Sequence, residues 1–216
     1  MARYASKVVD RMEDWIGKNE YDGSHKEIID IYNRQKMLPR GYKVQYDDAW
    51  CATTVCAAFL DLGYSALIPM ECSCGNMVKI AKTMGIWQEN DGYTPSPGDI
   101  LYYDWSDNGI GDNEGWPDHV GVVSYVGGGK MVIIEGNYKN AVNRRQIAIN
   151  DRYIRGFICP RYDIEEEPKK GDKTIEKVAR EVIRGKWGNG ADRKKRLADA
   201  GYDYAEVQKE VNRLLK

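Results

Sequence analysis

Five cysteines and two histidines are the groups in this 216-residue chain best suited to nucleophilic and acid–base chemistry. One of each stands where it could be activated. Cys51 lies in Asp47-Asp48-Ala49-Trp50-Cys51-Ala52-Thr53, at the start of a segment whose apolar positions, Val55, Ala58, Phe59 and Leu62, recur at helical spacing. A thiol at a helix N-terminus feels the positive end of the helix dipole, which favours the thiolate. His119 directly precedes Val120-Gly121-Val122-Val123, a strand pattern whose edge can hold an imidazole rigidly. Brought together, the two form a thiolate–imidazolium pair, a strong nucleophile with a general acid beside it. The other candidates are weaker. His25 falls inside Ser24-x-x-Glu27 and is expected at the surface. Cys56 is rotated about 140° from Cys51 on the helix and is assigned to the core. Cys72, Cys74 and Cys159 lack comparable surroundings.

An imidazole in such a pair needs a partner that fixes its tautomer. Met131-Val132-Ile133-Ile134-Glu135-Gly136-Asn137 reads as a strand returning antiparallel to the His119 strand through Gly127-Gly128-Gly129. Alternation places Glu135 and Asn137 on one face within reach of His119; one of them orients the ring, and Glu135 is preferred. An oxyanion needs the Cys51 backbone N–H and a second donor from just upstream, Gln45 or alternatively Tyr46.

The elements that must position these groups follow from periodicity. Val8, Val9, Met12, Trp15 and Ile16 predict a first helix, and Ser24-x-x-Glu27 before Ile28, Ile29, Ile31 and Tyr32 predicts a capping-box start to a second. Ala52 to Leu62 is the third, and Met77 to Met84, closed by Gly85, the fourth. Strands are predicted at Ile100–Tyr103, Val120–Val126, Met131–Glu135 and Ile154–Cys159. Helices first and an antiparallel meander second make an α+β fold.

Charge divides the chain further. Residues 174–216 carry +4, so the remainder carries −5 of the net −1. Glu165-Glu166-Glu167-Pro168-Lys169-Lys170-Gly171-Asp172-Lys173 lacks apolar residues and reads as a linker. The expected organisation is a domain at 1–163, a linker at 164–173 and a three-helix module at 174–216. With overall charge near neutrality, no global field recruits nucleic acid. No apolar run approaches the roughly 18–20 residues needed to span a bilayer. The N-terminus has no continuous apolar stretch of a secretory signal, so synthesis in the cytoplasm and reduced thiols are expected. Cys72-x-Cys74 has the wrong spacing for a zinc site. Asp104-x-Ser106-x-Asn108-Gly109 begins like a calcium loop, but Gly115 stands where a twelfth-position Glu is required. No metal or other cofactor is expected.

Trp50-Cys51-Ala52, Pro97-Gly98-Asp99-Ile100, His119-Val120-Gly121-Val122-Val123 and Ile134-Glu135-Gly136-Asn137, in that order, resemble the CHAP family of cysteine, histidine-dependent amidohydrolases and peptidases. The resemblance covers roughly residues 1–163. It implies a papain-like α+β domain that cleaves amide bonds of bacterial peptidoglycan, with Cys51 as nucleophile, His119 as base and acid, and Glu135 and Asn137 completing the site. Some family members bind calcium near the cysteine; Asp47 and Asp48 lie there without persuasive spacing.

Residues 174–215, with Trp187-Gly188-Asn189-Gly190, Arg193, Ala200-Gly201-Tyr202-Asp203-Tyr204 and Gln208, resemble the cell-wall-binding repeat at the C-terminus of some phage lysozymes. That resemblance implies a three-helix bundle that holds peptidoglycan fragments. Trp187, Tyr202 and Tyr204 offer stacking faces, while Asn189, Arg193 and Gln208 supply polar contacts. Trp187 and Tyr202 could equally fill a small core. The combined expectation is a monomeric phage-type endolysin, either an N-acetylmuramoyl-L-alanine amidase or a stem- or bridge-peptide endopeptidase, reaching the wall through a holin-like lysis protein. The alternative is a non-catalytic peptidoglycan-binding protein, against which the joint presence of Cys51, His119 and Glu135 argues.

Overall fold

The computed structural model describes residues 3–90, 92–162 and 174–215. The chain divides into two compact units, Met1–Asp163 and Ile164–Lys216. The linker expected at 164–173 lies outside the described residues. In the first unit, α1 (Arg3–Asp14), α2 (Lys26–Asn33), α3 (Cys51–Asp61) and α4 (Cys74–Met84) precede the strands. These are β1 (Trp87–Gln88), β2 (Ile100–Tyr103), β3 (His119–Gly127), β4 (Lys130–Tyr138), β5 (Ala141–Ala148) and β6 (Ile154–Ile158). They form one antiparallel sheet of order β1-β6-β2-β3-β4-β5. β2 to β5 make the meander, and β6 returns across the sheet to pair with β2. The mixed α and β content and antiparallel sheet are those of the expected class.

α3 is the helix on which the unit is built. Every residue from Cys51 to Phe59 is buried, and a helix apolar around its whole circumference must be enclosed. It packs against α1, α2, β3 and β4. Its first turn meets β4 at Gly136, where a Cβ would collide with the Thr54 side chain. Thr54 Oγ1 donates to the Trp50 carbonyl at 2.7 Å. The glycine therefore lets the start of α3 lie directly on the strand that carries Glu135.

Two tight turns set the register of the meander. Gly128 and Gly129, at φ +60° and +73°, join β3 to β4, with Gly127 opposite Lys130. Lys139 and Asn140 do the same between β4 and β5 at φ +56° and +59°. The second turn has no glycine, and β5 (AVNRRQIA) has no apolar run, so the sequence pattern does not reveal this edge strand.

The capping box at Ser24 does not form. α2 begins at Lys26 with His25 in the cap position and no side-chain cap bond, because Ser24 Oγ instead accepts the Asn19 N–H at 2.9 Å. His25, expected at the surface, is buried. Its Nε2 lies 2.9 Å from the Tyr46 carbonyl and its Nδ1 3.2 Å from that of Asn19, and its ring packs 5.5 Å from Trp50. A buried imidazole thus holds the segment leading into Cys51.

In the second unit, α5 (Ile175–Ile183), α6 (Gly190–Asp199) and α7 (Tyr204–Leu214) share a cluster of Val178, Ala179, Val182, Leu197, Tyr202, Val207 and Val211. Thr174 caps α5 and Asp203 caps α7, each accepting a backbone N–H three residues on. Among the described residues, no helix is long and apolar enough to cross a membrane.

Gly136→Ala is expected to destabilise the first unit by about 1–3 kcal/mol through overpacking against Thr54. Thermal unfolding followed by circular dichroism measures this, and an unchanged Tm would contradict the close approach.

Candidate active site

Cys51 is the first residue of α3, and the preceding Trp50 makes no side-chain cap bond to the helix. The first-turn amides of α3 are therefore not occupied by a capping side chain. His119 is the first residue of β3, opposite Tyr103 at the end of β2. Glu135, in β4, is fully buried. A buried carboxylate stays ionised only if its oxygens are matched by donors. Here His119 Nε2 lies 2.9 Å from Oε2, the Tyr103 hydroxyl donates to Oε1 at 2.5 Å, and Arg145 donates from Nε at 2.8 Å and Nη2 at 3.0 Å. With Nε2 held by Glu135, Nδ1 is the ring nitrogen left for Cys51, and the two groups are near enough to shift each other's proton affinity.

Each proton affinity has a physical cause. Burial works against the charge on Glu135, but the bonds from His119 and Arg145 keep its carboxyl below the ordinary value. Burial likewise opposes a charged His119; the hydrogen bonds and charges of Cys51 and Glu135 outweigh it and push the imidazolium from 6.5 up to about 9. Cys51 is held well below an ordinary thiol, first by a hydrogen bond from Cys74 and then, against burial, by the bond to His119 and its charge. Both shifts run in the direction that favours a thiolate beside an imidazolium.

Cys74 makes a contact that the sequence does not reveal, although its own thiol is held well above the ordinary value by its bond to Cys51 and by burial. Its Sγ lies 3.8 Å from that of Cys51. Cys74 is the first residue of α4, whose cap, Ser73, accepts the Asn76 N–H. The buried Glu71 fixes the approach, accepting the backbone N–H groups of Cys72 and Ser73 at 2.8 and 3.2 Å and the Arg40 guanidinium at 2.7 Å. Cys56 is in the core as expected, its thiol directed at the carbonyls of Pro69 and Glu71.

Asn137 is not at His119. Its φ of +58° breaks the strand alternation that put it on the Glu135 face, a conformation asparagine tolerates better than most residues. With its amide oxygen and nitrogen assigned to match their neighbours, it accepts the Trp50 N–H at 3.2 Å and donates to Glu20 Oε1 at 3.1 Å, while Trp50 Nε1 donates to the same Glu20 oxygen at 2.8 Å. Asn137 therefore ties down the residue before Cys51. Gln45 directs its amide to the Lys43 carbonyl at 2.6 Å, and the Tyr46 hydroxyl donates to Asp30 at 2.9 Å, so both oxyanion candidates are engaged elsewhere. Asp48 accepts the Gln45 N–H and the Tyr42 hydroxyl, each at 2.7 Å. Asp104, which opens the calcium-like segment, accepts the Ser106 N–H and Oγ–H at 2.9 and 2.6 Å.

Three residues around the centre escape the sequence reading. Tyr103 and Arg145 bind Glu135, and Trp105 stacks on Tyr103 with ring centres 4.6 Å apart. Arg145 is further held 3.9 Å from the Tyr138 ring. An arginine in a strand beside the one carrying a buried Glu is the signal for it, and that signal is visible only once β5 is recognised.

In the second unit, Tyr202 is buried in the core, edge-on to Trp187 at 5.9 Å, so it offers no free stacking face. Trp187 Nε1 donates to Glu181 at 3.0 Å. Arg193 donates to the Gly188 carbonyl at 3.0 Å and to Asn189 at 2.9 Å, and Gln208 donates to Asn212 at 3.0 Å. Tyr204 packs partly against the core with Lys194 above its ring.

A thiolate, an imidazolium and a buried carboxylate in series can attack a carbonyl carbon and then protonate the leaving group. Those are the groups that thiol-dependent acyl chemistry requires. Residues 41–137, which include Cys51, His119, Glu135 and Asn137, match the CHAP domain, and residues 176–215 match the CW_7 repeat. The chain is 54% identical over 42 residues, 19% of its length, to a lysozyme of Streptococcus phage Cp-7, and the match spans 12% of that relative. No solved structure matches the chain.

Substoichiometric iodoacetamide at neutral pH is expected to label Cys51 ahead of the other cysteines, and peptide mass mapping reads the order. Labelling of Cys51 last, or only near the ordinary thiol pKa of about 8.5, would contradict the thiolate.

Proposed function

We propose that this chain is an endolysin-type peptidoglycan hydrolase, in which a papain-like domain cleaves an amide bond through Cys51 and a three-helix module at 174–216 retains it on the wall. The series Cys51, His119 and Glu135 carries the proposal, because each member supplies the one condition its neighbour needs. The CHAP and CW_7 matches support the substrate class. The Cys51 thiolate attacks the carbonyl carbon, and the resulting oxyanion is stabilised by first-turn N–H groups of α3. His119 gives its proton to the departing amine, which leaves a thioester on Cys51. A water that loses its proton to the now neutral His119 then hydrolyses the thioester. Glu135 holds the ring in one orientation and favours its charged form.

The wall-binding module rests on less. Trp187, Asn189, Arg193, Tyr204 and Gln208 remain candidates for contacting peptidoglycan fragments, whereas Tyr202 serves the core. A net +4 over residues 174–216 favours an anionic wall. A separate membrane-permeabilising protein gives the enzyme access at lysis.

Cys51→Ser and His119→Ala are each expected to abolish the turbidity loss of purified cell walls while circular dichroism stays native, and near-normal activity in either would refute the roles. Mass spectrometry of the digest separates a new glycan end with free N-terminal alanine, the amidase product, from a new amine within the peptide. The active form is the thiolate–imidazolium pair. Activity should therefore fall as His119 loses its proton near pH 9 and, on the acid side, as Cys51 gains one below the ordinary thiol range. Glu135→Gln is expected to move the alkaline limb toward 6.5, and a limb that stays in place would overturn the role of Glu135 in charging the ring.

A further inference from the structure

We infer that Cys74 is the resolving thiol for Cys51, so that a peroxide converts the pair into an intramolecular disulfide that turns the enzyme off reversibly. The inference rests on the nucleophile assignment above only for its effect on activity; the bond itself follows from the placement of the two sulfurs. They are 3.8 Å apart, at the first residues of two helices that are each fixed independently, α3 by its enclosure and α4 by Ser73 and Glu71. Bond formation closes the gap to about 2.05 Å, a movement within reach of side-chain rotation. The other thiols are committed elsewhere. Cys56 faces the Pro69 and Glu71 carbonyls, Cys72 faces Glu71, and Cys159 packs against a different cluster.

The chemistry balances in two steps. The Cys51 thiolate attacks one oxygen of hydrogen peroxide; the O–O bond breaks, an S–O bond forms, and hydroxide leaves with the two electrons lost by sulfur. The Cys74 sulfur then displaces the hydroxyl of the Cys51 sulfenic acid. The S–S bond forms, the S–O bond breaks, and hydroxide departs with the Cys74 proton as water. A thiol reductant reverses the pair at the expense of its own disulfide.

Oxidation also prepares the second step. Cys74 is held well above an ordinary thiol by its bond to Cys51, then by burial and by the Cys51 charge. Conversion of Cys51 to an uncharged sulfenic acid removes that neighbouring negative charge and leaves Cys74 freer to ionise. A sulfenic acid with no thiol at hand proceeds instead to sulfinic and sulfonic acids, which thiols do not reduce.

The test treats the reduced, full-length protein with a small excess of hydrogen peroxide and follows intact mass, peptide linkage and wall lysis. The wild type is expected to lose about 2 Da, to yield a peptide joining residues 51 and 74, and to lose activity about tenfold or more, regained with dithiothreitol. Cys74→Ala, compared with its own untreated activity, is expected to gain about 32 or 48 Da at Cys51 and to stay inactive after dithiothreitol. The wild-type cross-link is read without any variant, so the test survives if Cys74→Ala fails to fold. Oxygen added to the wild type with no cross-link, or recovery of Cys74→Ala equal to that of the wild type, overturns the inference. A cross-link that forms without loss of activity refutes the nucleophile role of Cys51 instead, and so separates the two claims.

Discussion

A fully buried negative charge on Glu135 is the constraint from which the arrangement of the first unit follows. Such a charge is tolerable only when donors from different elements converge on it. His119 comes from the start of β3, Tyr103 from the end of β2 and Arg145 from β5. Three strands must therefore lie in one register, and the two-residue turns at Gly128-Gly129 and Lys139-Asn140 fix two of the pairings. The charge then passes its influence outward. It favours the protonated form of His119, and His119 in turn favours ionisation of Cys51, so the reactivity at the start of α3 is maintained by a carboxylate that never meets solvent.

Arg145 has a double effect in this network. It stabilises the ionised carboxylate but, as a cation, it does nothing to favour a second cation at His119. The balance still favours a charged His119 because Glu135 bonds to the ring and the Cys51 charge adds to its pull, whereas Arg145 reaches it only through Glu135. Packing of the guanidinium on Tyr138 and Trp105 keeps it directed at the carboxylate.

Much of this was legible in the sequence where a local physical rule decides it. Cys51 at a helix start, His119 at a strand edge and Glu135 on the returning strand all follow from periodicity and one glycine turn. What local rules miss are contacts made between elements. Cys74 looked unremarkable because its only distinction is a sulfur on another helix. Arg145 sits in an edge strand with no apolar signature, and Asn137 leaves the predicted face because one positive φ breaks the alternation. His25 failed for a related reason: the Ser24 hydroxyl, claimed by Asn19, gives up the cap, and the ring turns inward to the Tyr46 carbonyl. In the second unit, of the two readings the sequence leaves open for Tyr202 the structure takes the core one, because so small a core needs every large apolar ring near it.

The central claim is that His119 is an imidazolium paired with a Cys51 thiolate in the resting protein. Nitrogen-15 NMR of the His119 ring, titrated from pH 5 to 10, tests it most directly. Both ring nitrogens should remain protonated through neutrality and change only near pH 9. A ring already neutral at pH 7, titrating close to 6.5, would show that the two groups do not share their charge and that the centre is not poised as described.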